Sequence, residues 1–357
     1  MICLDLGSEF IRACLCDGKM QDSQLCELSR LPALEQPNLL LMQRDGTLSV
    51  APEMLYDSDE ILALVHSFNL HLGHRAPVAL CGDMSGLQSY TARDIASELL
   101  EELRDVFAPR AANLRDVSEL LVALPNHYSQ SLYNDLREAA TENGFSPRFL
   151  SVYEAIACAF QAQQGAPQSP ERQLLVGDWG ANGLRLASLR SDGNRKYKLT
   201  EHSACIHSAG ASRMIDALCH CAMAQLGIGE DALCNEPMLC LVLREQVSKQ
   251  IRKVSRLEPV KIQLVYADTT RGAIIIPREY RVALEAIAQE CVQYINDFIR
   301  TLPDEQIPHT AFLCGGGLRI PWLMDIIALG LPTNIRCHFA QYPDKTILYG
   351  LAYHAMS

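Results

Sequence analysis

The chain has 357 residues, 48% of them apolar and 20% charged, and a formal net charge of −11. That length exceeds one simple core and predicts two domains or lobes, and the acidic balance argues against a nucleic-acid binder, which needs a basic face. The 14 cysteines are scattered without a C-x-x-C pair; the C-x-C pairs at 14–16 and 219–221 are weak metal spacing, so free buried thiols in a reducing compartment are expected.

The N-terminal "MICLDLG" is apolar but broken by Asp5, and no basic stretch precedes it. No uncharged apolar run approaches the roughly 18–20 residues of a membrane span, so no membrane partner and a cytoplasmic location are expected. Strands are predicted at 1–7 and 10–16, followed by strand, Asp-Gly turn and strand across 37–51. "ARDIASELLEELRDVFA" (92–108) is an amphipathic helix with Ile95, Leu99, Leu103 and Val106 on one stripe and Glu101 and Glu102 facing out. A buried strand at 118–125 stops at Pro125, a helix over 128–144 ends at a glycine, and 149–164 reads as a short strand entering a helix. "GAPQSPERQ" (165–173), polar and proline-rich, is the predicted boundary. Beyond it come the strand "QLLVGDWG", more strands with a turn at Asp192-Gly193, and helices near 210–227 and 235–256. A hairpin spans 260–266 and 272–277, a long helix 278–302, a strand at 309–317 ends in three glycines, and a last helix closes the chain at 344–357.

Each half thus begins with a strand ending Asp-x-Gly, "LDLG" at 4–7 and "GDWG" at 177–180. Strand, carboxylate and glycine turn is a way of presenting backbone N–H groups to a phosphate. The repetition predicts a duplicated architecture with a ligand cleft between the halves. Gly315, Gly316 and Gly317 would let the backbone pass close under a ligand, Pro321 suits the first turn of the next helix, and the Arg319 guanidinium could stack on a purine. "GIGEDA" (227–232) imitates a dinucleotide fingerprint but follows a helix, not a strand.

These segments, in this order, resemble the nucleotide-binding domain of the 70-kilodalton heat-shock chaperones, within the actin, hexokinase and heat-shock ATPase superfamily. "LDLGS" is similar to its first phosphate loop and "LLVGDWGANGLRLASL" to its second. The stretch 120–160, with Pro125 and Glu154 in place, "FLCGGGLRIPWL" (312–323) and "YPDKTILYGLA" (342–352) follow in family order. The resemblance covers nearly the whole chain. It implies an α/β, two-lobed, duplicated actin-like ATPase (ribonuclease H-like) fold with a nucleotide cleft, lobe I at 1–170 plus the helix 341–357, and lobe II at 171–340. It implies ATP or ADP with Mg²⁺ as cofactors and Asp5, Glu154 and Asp178 as the carboxylates that orient water and metal, Asp5 and Asp178 reaching the metal through water. Nucleotide contacts are implied at Gly7, Ser8, Gly180, Ala181, Asn182, Gly183, Gly210, Arg252, Ser255, Gly315, Gly316, Gly317, Arg319 and Asp344.

The sequence also departs from the family. Ser8-Glu9 stands where the first loop has Thr-Thr, and Glu9 sets a carboxylate near the phosphates if it points inward. Two unit charges 4 Å apart interact by about 4 kcal/mol at an effective dielectric near 20. In the second loop the hydroxyl near the γ-phosphate is gone, and Ala181 costs about 1 kcal/mol if its φ is positive. The catalytic lysine aligns with Met54, or with Glu53 or Leu55 after a one-residue slip, none of them basic. Losing such an electrostatic group typically slows turnover about 10²–10³-fold. The adenosine-pocket helix offers Arg252 and Ser255, or Lys249 in another register. The resemblance ends with the last helix, so action without the family's peptide-binding domain is expected.

The function expected is therefore that of a chaperone-like adenine-nucleotide-binding protein with very weak or no hydrolysis, at most a weak ATPase, read by one or more partner proteins. The alternatives are a slow but genuine ATPase, a nucleotide-free scaffold, and, more weakly, a sugar or acetate kinase.

Overall fold

A computed structural model describes residues 1–16, 29, 31, 33–43, 48–50, 61–83, 86–111, 117–125, 128–164, 173–192, 196–229, 237–266 and 269–357. They are mixed α/β and fall into two compact units: Met1–Pro170 with Asp192–Lys198 and Lys345–Ser357, and Glu171–Ser191 with Leu199–Asp344.

The first unit opens with β1 (Ile2–Leu6), β2 (Phe10–Leu15) and β3 (Ala33–Pro37), then β4 (Leu39–Gln43), β5 (Leu48–Val50), β6 (Ile61–His66), β7 (Ala79–Asp83) and β8 (Gly86–Tyr90). Helix α1 (Ala92–Phe107) leads to β9 (Glu119–Leu124), α2 (Gln130–Glu142), β10 (Ser146–Ser151) and α3 (Val152–Gln164). The second holds β11 (Gln173–Gly180), β12 (Gly183–Ser191), most of β13 (Tyr197–Ile206), α4 (Ser212–Leu226), α5 (Pro237–Lys249), α6 (Ile251–Ser255), β14 (Val260–Tyr266) and β15 (Thr269–Ile275). It continues through α7 (Pro277–Thr301), β16 (Thr310–Cys314), α8 (Pro321–Gly330) and β17 (Arg336–Phe339); α9 (Thr346–Met356) returns to the first unit.

The two large sheets share one plan. The first has the order β10-β9-β1-β2-β3, with β1, β2 and β3 antiparallel and β9 and β10 parallel to β1. The second has the order β13-β12-β11-β16-β17, with β11 and β12 antiparallel and β16 and β17 parallel to β11. Parallel strands need both faces covered, which is why "LLVAL" of β9 and "TAFLC" of β16 are buried along their length. In the first unit Ile2, Leu4, Ile11, Ala13 and Leu15 share one sheet face and pack on Ile95, Leu99, Leu103 and Leu136 of α1 and α2. In the second, α4, α5 and α7 close over Leu175, Leu184 and Leu186.

Local signals account for most boundaries. Thr91 and Asp94 form a capping box at α1, Gly227 (φ 66°) ends α4, and Pro277 and Pro321 occupy first-turn positions of α7 and α8. The helix expected over 235–256 is two helices, because Gln250 leaves helical geometry (ψ 2°) and its N–H bonds back only to Val247. Glu102, expected to face out, is half-buried beside Gln36, and burial raises its carboxyl pKa. No helix among the described residues is long and apolar enough to cross a membrane.

Gly350 is set by α9 packing on α3. A Cβ there would lie 1.8 Å from the Ala155 carbonyl oxygen. Gly→Ala inside a helix ordinarily stabilises by about 1 kcal/mol. Here Gly350→Ala is expected to destabilise by about 1–3 kcal/mol through overpacking, read as a lower midpoint in urea.

Candidate functional site

Asp5 lies in the last turn of pleat of β1 and is buried, with Gly7 and Ser8 in the loop to β2. Four successive backbone carbonyls of this segment are tied down on one side. Asn69 Nδ2 donates to Leu6 O (3.0 Å), Asn38 Nδ2 to Gly7 O (2.8 Å), Ser67 Oγ to Ser8 O (2.6 Å), and Asn38 N–H to Glu9 O (2.8 Å). Asn38 Nδ2 also reaches Asn69 Oδ1 at 2.7 Å. In a trans peptide the C=O and the following N–H point in opposite directions. Fixing the carbonyls of Leu6, Gly7 and Ser8 therefore aims the amides of Gly7, Ser8 and Glu9 away from this polar cluster. Consecutive amides on one side are donors of the kind that suit an anion. Ser67 holds its hydroxyl in place from a left-handed conformation (φ 57°), which costs a non-glycine residue about 1–2 kcal/mol. Gly7 itself is required by the turn, since a Cβ would meet Phe10 O at 2.6 Å.

The second Asp-x-Gly is used differently. Gly180 pairs with Gly183, leaving Ala181 and Asn182 as a two-residue hairpin turn, and neither has a positive φ. Ala181 therefore carries no left-handed strain. The first amides of α4 are bonded to this turn: Ala211 N–H to Gly180 O (2.9 Å) and Ser212 N–H to Ala181 O (3.1 Å). Gly210 is glycine because a Cβ would lie 2.2 Å from Ala181 O.

Trp179, buried between Asp178 and Gly180, organises the rest. Its Nε1 donates to Ala209 O at 2.8 Å. Because Asp178 pairs with Cys314 across the parallel strands, Gly315 emerges beside it. A Cβ on Gly315 (φ 101°) would meet the Trp179 backbone at 2.5 Å, and one on Gly317 would meet the indole ring at 2.5 Å. The expectation that this triad clears space for a ligand thus needs correction at two positions, which clear space for an indole; only Gly316 faces open space. Gly315 N–H donates to Pro343 O (2.8 Å), and Arg319 Nε stands 3.7 Å from Asp344 Oδ2. Trp322 Nε1 donates to Val254 O (3.1 Å), joining the Arg319 segment to the end of α6, where Ser255 is half-buried. The second unit therefore holds Asp178, Gly180, Ala181, Asn182, Gly183 and Gly210 about one turn, and Gly315, Gly316, Gly317, Arg319 and Asp344 at the neighbouring strand end, with Ser255 reached only through the Trp322–Val254 bond. Met54 and the side chain of Arg252 lie outside the described residues.

Each Asp-x-Gly is followed at the same spacing by an arginine that the sequence reading missed. Arg12 stands directly across the ladder from Asp5, and Arg185 from Asp178. Arg185 Nη1 bonds Asp178 Oδ2 at 2.8 Å; Arg12 is buried, with Nε on Glu35 Oε2 at 3.2 Å and its guanidinium over the Phe10 ring. Burial raises the Glu35 pKa, but Arg12 and Lys345 outweigh it and hold the carboxyl below its usual value. The signal was legible as Asp-x-Gly-x4-Arg repeated in both halves. Glu154, in the first turn of α3, follows β10 at the same carboxyl-terminal sheet edge as Asp5. Burial raises its pKa, partly offset by a backbone hydrogen bond at Ser151 and by Lys198.

For the magnesium implied by the resemblance, the donor set fits a water-mediated contact. Direct coordination through Asp178 Oδ2 would displace the Arg185 guanidinium. For a nucleotide, the Gly7–Glu9 amides suit an anion, and the open backbone at Gly316 beside the partly exposed Arg319 suits a planar base. No protein-family model matches the chain, and no curated protein matches it.

The Asp178–Arg185 pair is lopsided: the aspartate side chain is 5% exposed and the arginine 24%. Arg185→Met strands a buried carboxylate and is expected to destabilise by about 3 kcal/mol. Asp178→Asn leaves an acceptor for an arginine that still reaches water and should cost about 1 kcal/mol. Urea melts of the two variants check the order.

Proposed function

We propose that the chain is an adenine-nucleotide-binding protein of the duplicated, actin-like (ribonuclease H-like) kind, similar to the heat-shock-chaperone nucleotide domain, with very weak or no hydrolysis. The observation that carries this reading is the Gly7–Glu9 loop, whose amides are aimed outward by Asn38, Ser67 and Asn69. The repeated sheet plan, with a carboxylate and glycine at the same strand end in each copy, supports it. In the first unit phosphate is read by those amides and Mg²⁺ is held through water by Asp5; in the second a base is read by Gly316 and Arg319. The Asp178–Arg185 ion pair supports slow turnover, because a neutralised carboxylate is a poor organiser of metal and water. The protein's role is regulatory, its nucleotide state read by a partner protein with different affinity for the two states.

A second reading, a nucleotide-free scaffold, is favoured by the turn at 180–183, whose carbonyls are occupied by α4 and whose neighbouring glycines are filled by Trp179. Thermal-shift titrations with ADP and ATP, with and without Mg²⁺, together with a single-turnover assay, separate the two. Nucleotide-dependent stabilisation with negligible turnover is the expected result. No shift at millimolar nucleotide favours the scaffold, and brisk turnover overturns the weak-hydrolysis reading. Asn38→Ala frees the Gly7 carbonyl and removes the side-chain tie to Asn69; it is expected to cost about 1–3 kcal/mol of stability and to weaken nucleotide binding at temperatures where the variant is folded, read by calorimetry.

A further inference from the structure

The face of the β1–β2 ladder opposite the α1–α2 core carries three thiols. Cys3 and Cys14 are direct cross-strand partners, and Cys16, two residues on, points to the same face. All three are buried, their Sγ atoms lie within 4.8 Å of one another, and Cys3 Sγ and Cys16 Sγ are 3.6 Å apart. Two thiolates on a shared ion with bonds of about 2.3 Å stand roughly 3.8–4.0 Å apart, so little movement is needed to close on one. We propose that Cys3, Cys14 and Cys16 form a buried trithiolate site for a soft monovalent cation, Cu(I).

The choice of ion follows from the donor set. Structural zinc takes four ligands, and among the described residues no histidine, aspartate, glutamate or further cysteine joins this group. Soft thiolates select Cu(I), which accepts low coordination numbers. Each thiol that ligates gives its proton to solvent, so loading is proton-linked and leaves a net negative cluster. Arg12, the preceding residue of β2 on the same face and itself buried, places a positive charge along that face. The C-x-C spacing alone could not reveal the site, because the third ligand lies on the neighbouring strand.

The test uses the full chain, reduced and anaerobic, titrated with Cu(I) against a chromophoric Cu(I) chelator, with parallel Zn(II) titrations. One equivalent is expected to resist the chelator in the wild type, and Cys3→Ser, Cys14→Ser and Cys16→Ser should each weaken it at least 100-fold. Cys158→Ser and Cys221→Ser, controls outside the cluster, should leave it unchanged. Variants are checked for native circular dichroism, and the alanine substitution replaces any serine variant that does not fold. X-ray absorption of the one-equivalent wild type should show sulfur-only ligation. Tight binding that survives loss of the three thiols, no chelator-resistant equivalent, or stoichiometric Zn(II) binding in preference to Cu(I) overturns the proposal.

Discussion

A buried indole governs the second unit. Trp179 sits at the end of β11, flanked by the carboxylate of Asp178 and the turn at Gly180, and it leaves no room for side chains at Gly315 and Gly317. Its ring N–H is satisfied by Ala209 O, as a buried indole requires. Three segments distant in sequence, 178–183, 207–212 and 314–319, are thereby fixed against one another. Arg319, Asp344 and the α6–α8 contact through Trp322 follow from where Gly315 leaves the sheet. A glycine-rich strand end is thus explained first by an aromatic ring packed on it, and only Gly316 remains open to a ligand.

The two strand–carboxylate–glycine units differ in how they treat the backbone. In the first, side chains from β3–β4 and the segment after β6 pull carbonyls to one side and leave amides facing the other. In the second, the α4 amides turn inward onto the loop carbonyls. A loop with its amides presented suits an anion, and one with its carbonyls capped by a helix is a closed structural corner. The left-handed Ser67 marks the first copy as the one where conformational strain is tolerated to hold a geometry.

Charge placement follows the same repeat. An arginine stands across the ladder from each aspartate, and in the second copy it makes a direct ion pair with a carboxylate that is almost fully buried. Such a carboxylate is paired because an isolated buried charge is costly. The pairing draws Asp178 toward structural duty and away from free metal binding.

How much was legible in the sequence depended on the range of the interaction. Period-2 and period-3.6 patterns and the Asp-x-Gly repeat located most elements and the start of each sheet, because side-chain alternation and turn chemistry are local. They also brought Asp5, Asp178, Gly7 and Arg319 to notice as residue types. Local patterns could not assign Gly315 and Gly317 to an indole 136 and 138 positions earlier, nor reveal that Asn38, Ser67 and Asn69 orient the Leu6–Glu9 backbone. They could not choose the break at Gln250, or the burial of Glu102. Strand pairing decides those questions: it brings residues within hydrogen-bonding distance irrespective of their separation along the chain, and no one-dimensional period records which strands will be neighbours. The cysteines show the division most simply, since the C-x-C at 14–16 is written in the sequence while its third thiol, Cys3, joins only through the β1–β2 register.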